Sequence, residues 1–235
     1  ETGNAIVDMI LDRAGQKGTG RWTVMSAAEN GVVISTINAA VEARILSSLK
    51  EQRVIASSQL SGPSNDSLSG SGIEKSQLIE KVKDALHASK IISYAQGLDL
   101  MKRVGDSHGW ELDLGSIARI WRGGCIIRAR FLNRITEAYE RNPELGNLML
   151  DDYFNGILDK SQSSWRDIVC LAIENGIPVP AFSSSLGYYD SFRSENLPAN
   201  LLQAQRDFFG AHTYERVDKN AGEFFHTNWP DVIED

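Results

Sequence analysis

The chain has 235 residues, near the upper end of what one hydrophobic core supports, so one large domain or a domain with an arm is expected and a small stapled scaffold is excluded. Apolar residues at 42% and charged residues at 23% exclude a mostly disordered chain. With 24 Lys and Arg against 31 Asp and Glu, the formal charge is −7, so there is no global basic field for nucleic acid or an anionic membrane surface, and neither is expected as a partner.

Cys125 and Cys170 each lie in an apolar helical context without metal or redox spacing, and are expected as buried free thiols in a reducing compartment. No apolar run approaches the roughly 18 residues that span a bilayer. The start, Glu1-Thr2-Gly3-Asn4, has no signal-peptide pattern and no initiator Met, which hints at a fragment.

In chain order, Ile6, Ile10 and Leu11 share a face and predict a first helix closed at Ala14-Gly15. Gly15 to Gly20 is then a loop. Ile37, Val41, Ile45, Leu49 and Ala56 predict one long helix from Ile34 to Ser57 with a single buried stripe. Ser61 to Gly72 is rich in Ser, Gly, Pro, Asn and Asp and reads as a solvated loop. Long amphipathic stretches follow from Ile73 to about Gly105, Leu114 to Tyr139 and Asp151 to Asn175, the last ended by Gly176 and Pro178. Val179 to Ser194 and Ala199 to Phe209 predict two more helices. Tyr214 to Val217 and Glu223 to Thr227 alternate loosely around Lys219 to Gly222, as a short hairpin does. The fold class is therefore all-α with a small hairpin in the tail. No strand-helix-strand alternation encodes a nucleotide-binding parallel sheet.

The most informative local feature is the loop Gly15-Gln16-Lys17-Gly18-Thr19-Gly20. Its glycines allow close backbone approach, Lys17 supplies a point charge and Thr19 a hydroxyl, ahead of a helix whose N-terminus favours an anion. It fits neither common phosphate fingerprint: a Walker loop places Lys after the last Gly, and a dinucleotide loop follows a strand. Spacing alone leaves open a phosphate loop or a glycine-rich interhelical turn. Arg44, inside Val41-Glu42-Ala43-Arg44, reads by itself as a solvated or ion-paired helical cation, and only in second place as a ligand-binding group. Gly123 and Gly124 within Trp121-Arg122-Gly123-Gly124-Cys125 read as a close helix crossing, since each costs up to about 1 kcal/mol in a helix relative to Ala. Tyr188-Tyr189 and Phe208-Phe209 read as core or interface anchors. Arg206 and His212 bracket a helix end at Gly210, either as a C-terminal cap or as a cationic, hydrogen-bonding pair presented by a tail. His87, His108 and His226 show no ligand spacing, and no metal is assigned.

Taken together, AGQKGTGRW (14 to 22), KIISYAQG (90 to 97), WRGGCIIR (121 to 128), LPANLLQAQRDFFGAHTYER (197 to 216) and FHTNW (225 to 229) resemble the decarboxylating 6-phosphogluconate dehydrogenases across essentially the whole chain. The resemblance implies an N-terminal NADP-binding domain followed by a large helical domain and a tail. This chain looks like the latter two, residues 1–196 and 197–235. The family's general base Lys and general acid Glu are then expected upstream of Glu1, so no catalytic residue is assigned here and Lys17 is not the catalytic lysine.

Carried over by position, the family's phosphate site matches Lys17, Thr19 and Arg44, with Arg206 and His212 coming from the tail of a partner subunit in a homodimer. A phosphomonoester carries nearly two negative charges at neutral pH, and three cations with a hydroxyl complement it. The implied reaction oxidises the C3 hydroxyl of 6-phosphogluconate with NADP and releases CO2 and ribulose 5-phosphate, a cytoplasmic step of the pentose phosphate pathway and of gluconate use. Two departures, Arg21 in place of the more usual Lys and the missing proline in Gly31-Val32-Val33-Ile34, do not touch these contacts. A related β-hydroxyacid dehydrogenase and a non-catalytic helical scaffold are the alternatives.

Overall fold

The structure is a computed structural model that describes residues 3–63, 73–123, 125–127 and 129–229. Two long helices, α4 (Lys75–His108) and α7 (Asp152–Glu174), pack along one another and carry most of the core. On α4 the stripe Ala85, Ala88, Ile92 and Ala95 recurs at helical spacing, with Ile91 and Leu98 beside it, all almost wholly buried. Alanines along this stripe let the facing helix approach closely. From α7, Phe154, Leu158, Trp165, Ile168 and Val169 answer it. Burying one such side chain contributes about 1.5 to 3 kcal/mol, so this seam is the main source of stability.

The remaining helices are α1 (Thr19–Glu29), α2 (Ser35–Ser47), α3 (Lys50–Gln59), α5 (Leu114–Ile120), α6 (Leu132–Arg141), α8 (Pro180–Phe192) and α9 (Ala199–Gly210). The starts of α5 and α7 are capped by acids: Asp113 accepts the Ser116 N–H at 2.9 Å, and Asp151 accepts the Tyr153 N–H at 3.1 Å. Asp151 also takes Arg141 at 2.6 Å. At the other end of α7, Gly176 adopts a left-handed conformation (φ 67°) after Asn175. The chain separates into two compact units, Glu1–Tyr189 and Asp190–Asp235. In the second, β1 (Tyr214–Glu215) and β2 (Phe224–Phe225) form an antiparallel pair in which Tyr214 faces Phe225 and Glu215 faces Phe224.

The fold is all-α with this one small hairpin among the described residues, as expected. Several local expectations are corrected. Ile6–Met9 is a single 3₁₀ turn with exposed apolar side chains, because a lone turn with nothing to pack on does not sustain a helix. The helix expected from Ile34 to Ser57 is two helices, and its stripe is not buried: Ile45 and Leu49 are exposed. At the break, Ser47 Oγ donates to the Arg44 carbonyl at 2.7 Å and Ser48 Oγ to the Ile45 carbonyl at 2.6 Å, so hydroxyls compete for helical acceptors.

The stretch Leu114 to Tyr139 divides between α5 and α6. A Cβ on Gly123 would meet nothing within 4 Å, so this glycine marks an interruption and not a close crossing; Gly124 lies outside the described residues. Cys125 is half-buried and Cys170 exposed, so the expectation of buried thiols fails for both. The aromatic pairs divide as well: Tyr188 is buried in the core, whereas Phe208 and Phe209 are exposed. Most of the serine-rich loop, residues 64–72, lies outside the described residues.

Candidate functional site

The glycine loop is built onto α2 from below. Asp12 is held by Lys50 at 2.5 Å and by Arg53 Nη1 at 3.0 Å, while Arg53 Nη2 also donates to the Asp12 carbonyl at 3.0 Å. The hydrogen bonds from Lys50 and then Arg53 outweigh the raising effect of desolvation and lower the Asp12 carboxyl to about 2. Two residues on, the Ala14 N–H donates to Ser47 Oγ at 2.9 Å. Arg44 Nη2 then donates to the Gly15 carbonyl. One face of α2 and the start of α3 therefore fix the chain up to the point where the loop begins.

Gly18 lies at φ 107°, which a Cβ would strain, and forms the N-cap of α1 without a side-chain cap. The amides opening α1 are thus free of side-chain acceptors, and Thr19 is the first helical residue. Gly20 has a packing reason: a Cβ there would come within 2.8 Å of Val41 Cγ2, so the absence of a side chain seats α1 against α2. At the far end of α2, the buried Gln96 of α4 accepts the Thr36 N–H at 3.1 Å and donates to Ser35 Oγ at 3.2 Å. The helix that carries Arg44 is therefore tied to the core helix at its first turn.

Lys17, Thr19 and Arg44 are all exposed, and Arg44 reaches the same loop that carries the other two. Two cations, one hydroxyl and an uncapped helix start on a surface loop can take a dianionic oxygen cluster by charge-assisted hydrogen bonds. Beside it, Trp22 opens a cavity of about 650 Å³ whose walls include Tyr94, Trp110 and Trp121. Its aromatic lining suits apolar matter and not a phosphate.

Arg206 and His212 belong to the second unit, where both are exposed. Arg206 Nη1 donates to Gln203 Oε1 at 3.0 Å. Asp207 is wholly buried. Its Oδ1 accepts the Thr213 N–H at 2.9 Å and His226 Nδ1 at 3.0 Å, and its Oδ2 accepts the Thr227 N–H at 3.1 Å and Trp229 Nε1 at 3.0 Å. Burial alone raises this carboxyl; the donors, His226 foremost, outweigh it and lower the group to about 2. Sequence reasoning missed Asp207, Gln203, Ser47 and Asp12. None left a local signal: Gln203, Asp207 and Gly210 share one helical face at i, i+4 and i+7, but that spacing alone does not mark a buried acceptor. His226, given no role from spacing, is a donor to that carboxylate.

Among the described residues no group of three or more His, Cys, Asp or Glu could hold a metal, and no helix is long and apolar enough to cross a membrane. Among the described residues no strand leads into a glycine loop and a helix in the manner of a dinucleotide-binding unit. The glycine loop follows an extended strap tied to α2 and α3, and the strands β1 and β2 are two residues each and antiparallel.

The family model for the 6-phosphogluconate dehydrogenase C-terminal domain matches residues 1–229. A Synechocystis protein named 6-phosphogluconate dehydrogenase, decarboxylating, is 59% identical over 232 residues, which is 98% of this chain and 47% of the relative. A Bacillus subtilis protein named as the NADP(+)-dependent, decarboxylating 6-phosphogluconate dehydrogenase is 55% identical over 229 residues, 97% of this chain and 48% of the relative. Among solved structures, the Plasmodium falciparum 6-phosphogluconate dehydrogenase, described in its apo form and in complex with NADP+ and with 6-phosphogluconate, superposes with a TM-score of 0.87 at 46% identity, covering 97% of this chain and 48% of that one. The chain spans about half the length of these relatives. It belongs to the family of 6-phosphogluconate dehydrogenase C-terminal domains.

Proposed function

We propose that the intact protein containing this chain catalyses the NADP-dependent oxidative decarboxylation of 6-phospho-D-gluconate to D-ribulose 5-phosphate and CO2 in the cytoplasm. Within it, residues 1–196 bind the substrate phosphate and dimerise, and residues 197–235 reach the partner subunit's site. The observation that carries the reading is the seating of Arg44 on the Gly15 carbonyl, which puts a guanidinium at the loop bearing Lys17 and Thr19. Lys17 and Arg44 neutralise the phosphate, Thr19 donates a hydroxyl hydrogen bond, and the first amides of α1 point at the same anion. The charge of −7 leaves this cluster as a local positive well on an acidic protein, which steers a dianion to one place.

Arg206 and His212, supplied by the tail of the second subunit, add a further cation and a hydrogen bond to the sugar hydroxyls. Held at its phosphate end, the substrate presents its C3 hydroxyl and carboxylate to groups outside this chain; fixing one end lowers the entropic cost of reaction at the other. NADP supplies the hydride acceptor; the name of the Bacillus relative and the NADP+ complex of the Plasmodium protein support that assignment. The described residues hold no dinucleotide-binding unit, and we assign NADP binding mainly to the rest of the intact protein. The test is NADPH formation: the intact protein given 6-phosphogluconate and NADP produces NADPH with matching CO2 release, and the 235-residue chain alone produces none. NADPH formation by the chain alone, or none by the intact protein, refutes the reading.

A further inference from the structure

The tail holds its two proposed ligand-binding side chains on a base that is far more ordered than their exposure demands. Arg206 and His212 are exposed, yet the backbone joining them is fastened at Ala211, whose N–H donates to the Asp207 carbonyl at 2.8 Å, and at Thr213. Ala211 and Thr213 are the two non-glycine residues at positive φ among those described, 50° and 59°, on either side of His212. A β-branched Thr rarely adopts this conformation, and it persists only where the surroundings dictate it. Here they do: the Thr213 N–H donates to Asp207 Oδ1 at 2.9 Å, and the Thr213 carbonyl accepts Gln203 Nε2 at 2.6 Å. The other end of the same Gln203 amide accepts Arg206 at 3.0 Å. One side chain therefore links Arg206 to the turn that carries His212. Gly210 completes the seat, since a Cβ there would lie 2.9 Å from His212 Nε2.

We propose that Gln203, Asp207 and Gly210 are positioning residues that preset Arg206 and His212 as one rigid substrate-binding unit. This rests on the reading of Arg206 and His212 as substrate ligands. Gln203 couples the two by bridging Arg206 and Thr213, Asp207 locks the strained turn, and Gly210 leaves room for the imidazole to lie against the end of α9. A strained, doubly anchored turn stays in place when the substrate leaves, so little ordering entropy is lost on binding.

The test uses the intact protein, with the KM for 6-phosphogluconate, kcat and the thermal midpoint read for each variant. Gly210→Ala is the sharpest variant, because Ala favours helix over Gly and a merely structural role predicts equal or higher stability with unchanged kinetics. The expected result is an unchanged or raised midpoint with KM increased about 3- to 10-fold, the weight of one net hydrogen bond. Gln203→Leu is expected to raise KM similarly, and to add less than about twofold when Arg206 is already Ala, because coupled residues are not additive. Asp207→Asn is read only as support, since it can unfold the tail.

Unchanged KM in both Gly210→Ala and Gln203→Leu, or full multiplication of the Gln203 and Arg206 effects, overturns the proposal. Arg206→Ala and His212→Ala are the controls that separate the two readings. If neither changes KM or kcat, the substrate-ligand reading fails and this one with it; if they do and the positioning variants do not, only this inference fails.

Discussion

Replacing Arg44 by Ala removes a guanidinium that the structure places on the rim of the glycine loop. A hydrogen bond to a charged partner contributes about 1.5 to 3 kcal/mol. At about 1.4 kcal/mol per tenfold, that is about 12- to 140-fold in affinity. Arg44 is exposed, and two unit charges 4 Å apart in water attract by only about 1 kcal/mol, so the lower part of the range is expected, about 10- to 30-fold. The assay is calorimetric titration of the intact protein with 6-phosphogluconate and, in parallel, with gluconate. The phosphate ester weakens by that factor, and gluconate changes by less than about twofold, within the reach of surface effects.

Arg44→Lys recovers only part of the loss, since one ammonium cannot also reproduce the planar fork that holds the Gly15 carbonyl. Ser47→Ala separates anchoring from charge: it removes the acceptor for the Ala14 N–H and leaves every cation in place, so it costs about 0.5 to 1.5 kcal/mol, roughly 2- to 12-fold. Equal losses for 6-phosphogluconate and gluconate in Arg44→Ala refute the phosphate assignment. A Ser47→Ala loss as large as that of Arg44→Ala shows that loop anchoring, and not charge, is what Arg44 contributes.

Two further outcomes are expected. Full-length Lys17→Ala and Arg206→Ala variants, each nearly silent when assayed at a substrate concentration far below its raised KM, form heterodimers in which one site carries both lesions and the other none. Verified heterodimers regain up to half the wild-type activity, and recovery of none refutes a site shared between subunits. The tail has its own acid limit: Asp207 sits at about 2 in the folded chain against an ordinary 3.8, so its stabilisation is complete above pH 3.8 and is lost as pH falls toward 2. The Thr213 and Thr227 amide signals in a pH titration of the intact protein follow this loss, and an unchanged acid limb in Asp207→Asn refutes it.

What the sequence made legible is what periodicity encodes. The α4 stripe Ala85, Ala88, Ile92, Ala95 and the α7 stripe Phe154, Leu158, Trp165, Ile168 announce buried faces because a core this regular must repeat at the helical period. Helix ends were legible where a residue carries its own chemistry, as at Asp151 and Gly176. The interruptions at Ser48 and around Gly123 were not, since an apolar stripe can run on in register across a break that side-chain hydroxyls or glycines impose. Nor does a stripe require burial: Ile45 and Leu49 keep the spacing of a core face and remain exposed.

The site divides along the same line. Lys17 and Thr19 were visible because glycines advertise unusual backbone, and Gly18 does adopt a positive φ. The tie from Arg44 to Gly15 spans 29 residues and depends on how α1 and α2 meet, through Gly20 against Val41, which no local pattern records. Asp207 shows the limit most clearly. Between the cation Arg206 and an aromatic pair it reads as a solvated helical acid, yet it is the acceptor for four donors, three of them supplied after residue 225. A carboxylate can be buried there because those donors arrive from the hairpin that follows; its environment is made by residues up to 22 positions ahead.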